Sequence, residues 1–540
     1  MATKTFIANI KGAKGVQGDT GAQGLPGTGA VPADAAVAGY ISTAGTSDTQ
    51  TAADARYAST AILAAATDRD RITRLFQSSG TRVAVKRVGN DYNMHQEVSP
   101  NVWWKQTLAN TTTATGTLHV MKDSIVGRPV ASLAHGDASF AYSATGWGVI
   151  TNAMVYGGNY QRNKTIGATV TWTSPTATHV GIRGILTNNG GYAKVTLDGS
   201  VTAATLLPTA QDEVTAGRLA SSALVANGGT LNPTDRVYDS YASPTRPDGI
   251  TLFADGLTSA AHTVILTVTG YKQTPAVDVY VLLTGGISGT ASTALDTAGV
   301  EIAALVTAHT GSSVYEYAMV FKRTGGTLAP FIGNSHGNET ETYFGIIVDG
   351  KTVTFTDGQT RIGSAAQIER GTNLLNPDNA AEVVATGSAF WTITAANGID
   401  LHWVVNWTKA GTVSSAYAAM LPTQGNTFQR GRAAGGSTVI LLDDDNSVKG
   451  STKSDTIVLW QSGGNGATML TVRNLPQAVN SWANTATDFA WIQDRSGGDY
   501  NKGYFQRIQA VDVPIVIGDK WETFATYRAA WLPTTSALQH

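Results

Sequence analysis

The sequence contains no cysteine. Disulfide staples, thiolate metal sites and thiol nucleophiles are therefore excluded. Charge is scarce as well: 14% of the 540 residues are charged, against about 25% in an ordinary globular chain. The 37 basic and 39 acidic residues nearly cancel. No basic excess is available to neutralise a phosphate backbone, which argues against nucleic acid as a partner. No run approaches the roughly 18 apolar residues of a membrane-spanning helix, so no membrane insertion is expected. The opening residues MATKTFIANIKGAKG lack the apolar core of a secretory signal. The expected setting is a cytoplasm, where the chain stays soluble and is assembled into a particle. No phosphate loop, dinucleotide fingerprint or serine-hydrolase elbow stands in a strand–turn–helix setting. No cofactor is expected.

Glycine is abundant, with 59 residues, and in one place it is ordered. Gly12, Gly15, Gly18, Gly21, Gly24 and Gly27 occupy every third position with no other glycine between them. This period is the signature of a collagen triple helix, whose crowded axis admits only glycine. A flexible glycine-rich linker is the alternative. The intervening Lys14, Asp19 and Pro26 favour the triple helix. A triple helix takes three chains, so a homotrimer on a stalk of roughly 50 Å is expected.

The rest of the chain divides by composition. Residues 1–11 carry Phe6, Ile7 and Ile10, a candidate docking peg, and residues 12–29 are the collagen-like run. Residues 30–80 form a linker and a short helical neck, with Ile62, Ala65, Ile72 and Phe76 near heptad spacing. From Thr81 onward, β-branched runs are broken by Gly, Asn and Pro, the pattern of antiparallel sandwiches. HTVILTVTG, residues 262–270, alternates most clearly. A first sandwich region is expected over 81–289, with its core at about 116–286. A second is expected over 290–540, distal from the stalk. Asp349-Gly350 signals a two-residue hairpin within the second.

IANIKGAKGVQGDTGAQG, followed by residues 37–59 ending in Asp54-Ala55-Arg56-Tyr57, resembles the N-terminal part of bacteriophage minor tail and tail-fibre proteins, notably those of actinobacterial phages. FAYSATGWG, YAKVTLDG and GLTSAAHTVILTVTG resemble strands of galactose-binding-like, carbohydrate-binding-module-type β-sandwiches. The resemblance covers the first 60 residues and the first sandwich. It implies a homotrimer in the phage tail, joined to other virion proteins through its N-terminus, whose distal domains contact the host envelope.

Candidate ligand-binding residues follow from chemistry. Aromatic rings offer apolar faces to sugar C–H groups, and nearby polar side chains can hydrogen-bond hydroxyls. In the first sandwich the candidates are Trp147, Tyr156, Tyr160 and Arg162, with Asn159 and Asn163 beside them. Trp172, in a regular strand, reads as core. Late in the chain WIQDRSGGDYNKGYFQR, residues 491–507, offers Trp491, Asp494 and Tyr500. Asp494 with Asp499 would be a candidate carboxyl pair for glycoside cleavage; a long hairpin with a polar turn explains the same residues. Asp443-Asp444-Asp445 resembles the start of a calcium loop but lacks its glycine and closing glutamate. His336 with Glu339 and Glu341 is a polar cluster whose spacing matches no metal-ligand pattern. No metal and no catalytic residue is assigned.

The expected protein is mainly β: a collagen-like triple helix and helical neck, then two antiparallel, jelly-roll-like sandwich regions in a homotrimeric fibre. Its expected function is adhesion to host cell-envelope carbohydrate. A polysaccharide depolymerase in the C-terminal domain and a non-binding head or tail decoration fibre are the alternatives.

Overall fold

The computed structural model describes residues 60–539 apart from 100–101, 114–115, 144, 243–244, 291–300, 310–317, 334–335, 397, 424–427, 437, 443–447, 453, 462–465, 474–489, 495–499, 533–534 and 536–537. The peg, the six collagen-register glycines, the acidic run at 443–445 and Asp499 lie outside the described residues. Within them, the chain is mainly β, and the named strands pair antiparallel in several sheets.

The first sandwich places five strands in the order Arg236–Asp239, Tyr192–Leu197, Thr263–Val268, Thr169–Thr173, Phe140–Tyr142. Facing them are Arg246–Ala260, Ala177–Leu186, Gly285–Gly289 and the end of Gly116–Ala134. Alternation selects the inner side chains: Val264, Leu266 and Val268 share a core with Trp172, Val180, Ile182 and Phe253. The sheets meet closely at Gly286, where a Cβ would lie 2.3 Å from Trp172 Cε2. Any larger residue there displaces the indole. A separate three-stranded sheet, Val281–Leu283, Asn159–Asn163 and Gly148–Thr151, borders this sandwich.

The 19-residue strand Gly116–Ala134 serves two layers. Its end pairs with Gly285–Gly289, whereas its earlier residues pair with Val102–Thr113. Asp91–Ser99 and Val83–Val88 then extend the sheet. Val83, Val85, Met94, Trp104, Leu108 and Met121 join one core with Met319, Phe321, Ile368, Trp391, Trp403, Phe505 and Trp521. Core membership thus departs from the sequence boundaries 81–289 and 290–540. Residues 83–126 pack with the strands after Ala318, and residues 135–289 are inserted between them. A six-stranded and a ten-stranded sheet complete this larger layer system. The expected hairpin is present: Val348 pairs with Lys351, and Asp349 and Gly350 take φ of 47° and 76°. Those positive values match the twist of the flanking strands.

The helix Thr60–Leu75 precedes the sheets. Its stripe residue Ile72, and Phe76 just beyond its end, are buried with Val458, Trp460, Met469 and Leu538. Asp68 accepts from the guanidinium of Arg432, with Nη2 at 3.0 Å, and from Gly435 N–H at 2.9 Å. Arg69 pairs with Asp455 at 2.6 Å. At the end of the expected neck, Ile72 and Phe76 complete an intramolecular core with the C-terminal strands; the stalk from which those strands were expected to be distal lies outside the described residues.

Candidate functional site

In the strand Asn159–Asn163, alternation separates two faces. Tyr160 and Arg162 share one. Tyr160 packs with Tyr280 against Val155, Ile185 and Leu282. The Arg162 guanidinium lies 4.8 Å from the centre of the Tyr280 ring, and Lys164 Nζ lies 4.9 Å from it. Lys164 also pairs with Asp278 at 3.1 Å. Asn159 and Asn163 point to the opposite face: Asn159 meets His135, and Asn163 donates to the carbonyl of Thr145 at 3.0 Å.

The other two candidates of this sandwich have structural partners. Trp147 donates its indole N–H to the carbonyl of Thr169 at 2.9 Å and sets its ring edgewise to Tyr142. Tyr156 donates to the carbonyl of Ser132 at 3.0 Å, and Arg183 covers its ring at 4.3 Å. One face of Tyr156 is therefore already occupied. Trp172 is in the core, as its regular strand implies.

In the larger layer system, Ala490–Gln493 and the start of Asn501–Ile515 form an antiparallel hairpin, Trp491 opposite Tyr504. Ile492 and Phe505 point into the core, so Trp491 and Tyr504 lie on the opposite face, where Trp491 is half-buried and Tyr504 is buried. They are joined there by rings from distant strands. The Trp491 and Tyr504 planes are near parallel, with centres 6.4 Å apart. Tyr417 meets Tyr504 edgewise at 5.5 Å, and Phe331 stacks on Tyr417 at 5.6 Å. His336 closes the row, 5.2 Å from Phe331. Lys502 Nζ lies 4.9 Å from the Tyr504 ring centre and 5.6 Å from that of Tyr417, within reach of both quadrupoles. Burial pushes the Tyr504 phenol above its ordinary value, so it remains a neutral hydroxyl. Tyr500 is half-buried just before the strand, and the Asp494 side chain is fully buried.

The remaining polar cluster separates into different partnerships. Glu339 faces Arg370 at 3.5 Å, both fully buried. Glu341 takes His119 Nδ1 at 2.9 Å, and the His119 ring stacks on Phe344 at 3.7 Å. These contacts tie the strand Glu339–Val348 to Gly116–Ala134. On the outer face of the ten-stranded sheet, His402 Nε2 lies 2.7 Å from Glu522 Oε1 and its ring stacks on Phe524 at 4.2 Å. Among the described residues no group of three or more His, Asp or Glu could hold a metal ion. Sequence reading missed Phe331 and Tyr417 as site residues, whereas Lys502 and Tyr504 lie inside the stretch 491–507 that it singled out. Tyr417 and Phe331 are brought into the row with Tyr504 by pairing across the sheet, and nothing in the local sequence marks that.

No protein-family model matches the chain, and no curated protein matches it. Solved structures with some likeness include the α-galactosidase from Lactobacillus brevis, with 7% identity and a TM-score of 0.27 over 41% of this chain and 29% of that one. A β-arabinopyranosidase shows 8% identity and a TM-score of 0.21 over 42% of this chain and 36% of that one. The chain thus spans about a third of the length of each, and at such TM-scores the likeness carries no argument about fold or activity.

Proposed function

We propose that the chain is a structural component of a phage virion, a minor tail protein or tail fibre, that acts as a trimeric adhesin for host cell-envelope carbohydrate. The virion reading rests on the resemblance of the first 60 residues and on the glycine period. The binding reading rests on one structural observation: on the face away from the core, the exposed His336 and the half-buried rings of Phe331, Tyr417 and Trp491 form one row with the buried Tyr504, and the buried Lys502 lies against its rings. A row of this kind suits an extended sugar polymer, whose C–H faces pack on aromatic rings. Three copies on one stalk raise avidity without a new contact.

The test is binding of labelled full-length protein to host cells and to purified envelope polysaccharide. Trp491→Ala and Tyr417→Ala are each expected to weaken polysaccharide affinity by up to about tenfold, the scale of one lost aromatic contact. Unchanged binding by both variants would remove the row from the reading. A protein that binds neither cells nor polysaccharide leaves the decoration-fibre alternative. The half-exposed His402–Glu522 pair favours a second reading, polymer cleavage by acid–base catalysis. Polymer that shortens with time, and does not with His402→Ala, would establish it.

A further inference from the structure

The first sandwich carries a cationic cluster in a chain that has few charges. Arg162, Lys164 and Lys272 gather around Tyr280 and Asp278. Arg162 and Lys164 lie over the Tyr280 ring at 4.8 and 4.9 Å. Lys164 pairs with Asp278 at 3.1 Å, and Lys272 donates to the carbonyl of the adjacent Val277 at 3.0 Å. Three cations therefore stand against one carboxylate. Among the described residues, Arg162 has no carboxylate partner, although it is only half-buried and its fork suits a planar anion. Tyr160 and Tyr280 present ring surface on the same side, packed over Val155, Ile185 and Leu282. The Tyr160 ring would contact the carbon skeleton of a ligand, and the cations its charged groups.

We propose that this face binds an anionic glycan, a polyol or sugar chain carrying repeated carboxylate or phosphate groups. Arg162 takes the anion, Lys164 and Lys272 supply the surrounding positive field, Tyr160 supports the sugar ring, and Tyr280 holds Arg162 and Lys164 over its ring. The site is separate from the Trp491 row, on a different sandwich. It deepens the adhesin reading and rests on it for biological context only.

The test uses the full chain and immobilised probes: polygalacturonate for carboxylate, poly(glycerol phosphate) for phosphate, and dextran as the uncharged control. At low salt the protein is expected to bind at least one anionic probe and to bind dextran more weakly. High salt should release it, because exposed charge pairs are screened. Arg162→Gln is expected to weaken anionic binding about tenfold, equivalent to 1.4 kcal/mol, whereas Arg162→Lys, which keeps the charge and loses the fork, is expected to retain part of it. Lys164→Gln, a surface change on the same cluster, should weaken binding in the same direction. Equal binding to dextran, or anionic binding indifferent to both glutamine variants, overturns the proposal. If cells are still bound and only the Trp491 and Tyr417 variants reduce it, this site fails while the adhesin reading stands. If the anionic probes bind through Arg162 but cells do not, the site stands and the adhesin reading fails.

Discussion

Asp239 shows how a single residue can set a pH dependence. It lies among Tyr192, Glu213, Arg218 and Gln273, where Tyr192 donates to Glu213 at 2.7 Å and Arg218 pairs with Glu213 at 2.6 Å. Burial pushes the Asp239 carboxyl up to about 7, with the nearby Glu213 charge adding to the effect, against hydrogen bonds from Tyr241 N–H and Gln273. Between its ordinary 3.8 and about 7 the folded protein holds a proton that the unfolded chain has released. Stability therefore falls as pH rises through that window. Urea midpoints measured across it should decline for the native protein and decline less for Asp239→Asn. Identical slopes would mean that other groups set the dependence. None of this is visible locally: Asp239 and Glu213 are 26 positions apart, and only the fold brings them together.

At the scale of elements, the helix Thr60–Leu75 is held by a buried ion pair. The Arg432 side chain is 1% exposed, and Asp68 is its counter-charge. Burial alone would raise the Asp68 carboxyl, but the bonds from Arg432 and Gly435 hold it below the ordinary carboxylate value. Removing one partner of such a pair costs about 3–5 kcal/mol, because the other charge stays buried. Asp68→Ala should lower unfolding stability by that amount and speed proteolytic cleavage at Arg71 and Arg74. The exposed Asp70→Ala should change either reading little. Equal losses in the two variants would show that the buried pair is not what holds the helix. The same element shows what periodicity leaves open. The spacing of Ile62, Ala65, Ile72 and Phe76 predicts a helix with an apolar stripe. It does not say whether that stripe meets another chain or, as for Ile72 and Phe76, the strands of its own. Turn chemistry is more local: Asp349-Gly350 specifies its hairpin because both residues tolerate positive φ.

For the whole molecule, the expectation concerns number. Light scattering of the full chain should return three times its 56.3 kDa. Gly18→Ala should shift that mass toward a single chain, because a side chain at the triple-helix axis does not fit. A monomeric native protein would remove the stalk from the functional reading. Avidity depends on this number, so the adhesin reading and the oligomeric state are tested together. Among the described residues, Ile72 and Phe76 pack on the C-terminal strands, and the first sandwich lies between strands that share one core.

Short-range rules sufficed for part of this protein. The β-rich class, the alternation of Val264, Leu266 and Val268, the core place of Trp172 and the hairpin at Asp349-Gly350 each depend on residues a few positions apart, and each was legible in the sequence. The tertiary structure alone decided what depends on distant pairing. It joined Val83 to Phe321 in one core, set Tyr504 against both Trp491 and Tyr417, buried Asp494 and placed Arg162 over Tyr280. Side-chain direction along a strand follows a period of two that any reader can count. Which strand becomes the neighbour is set by the packing of the whole chain.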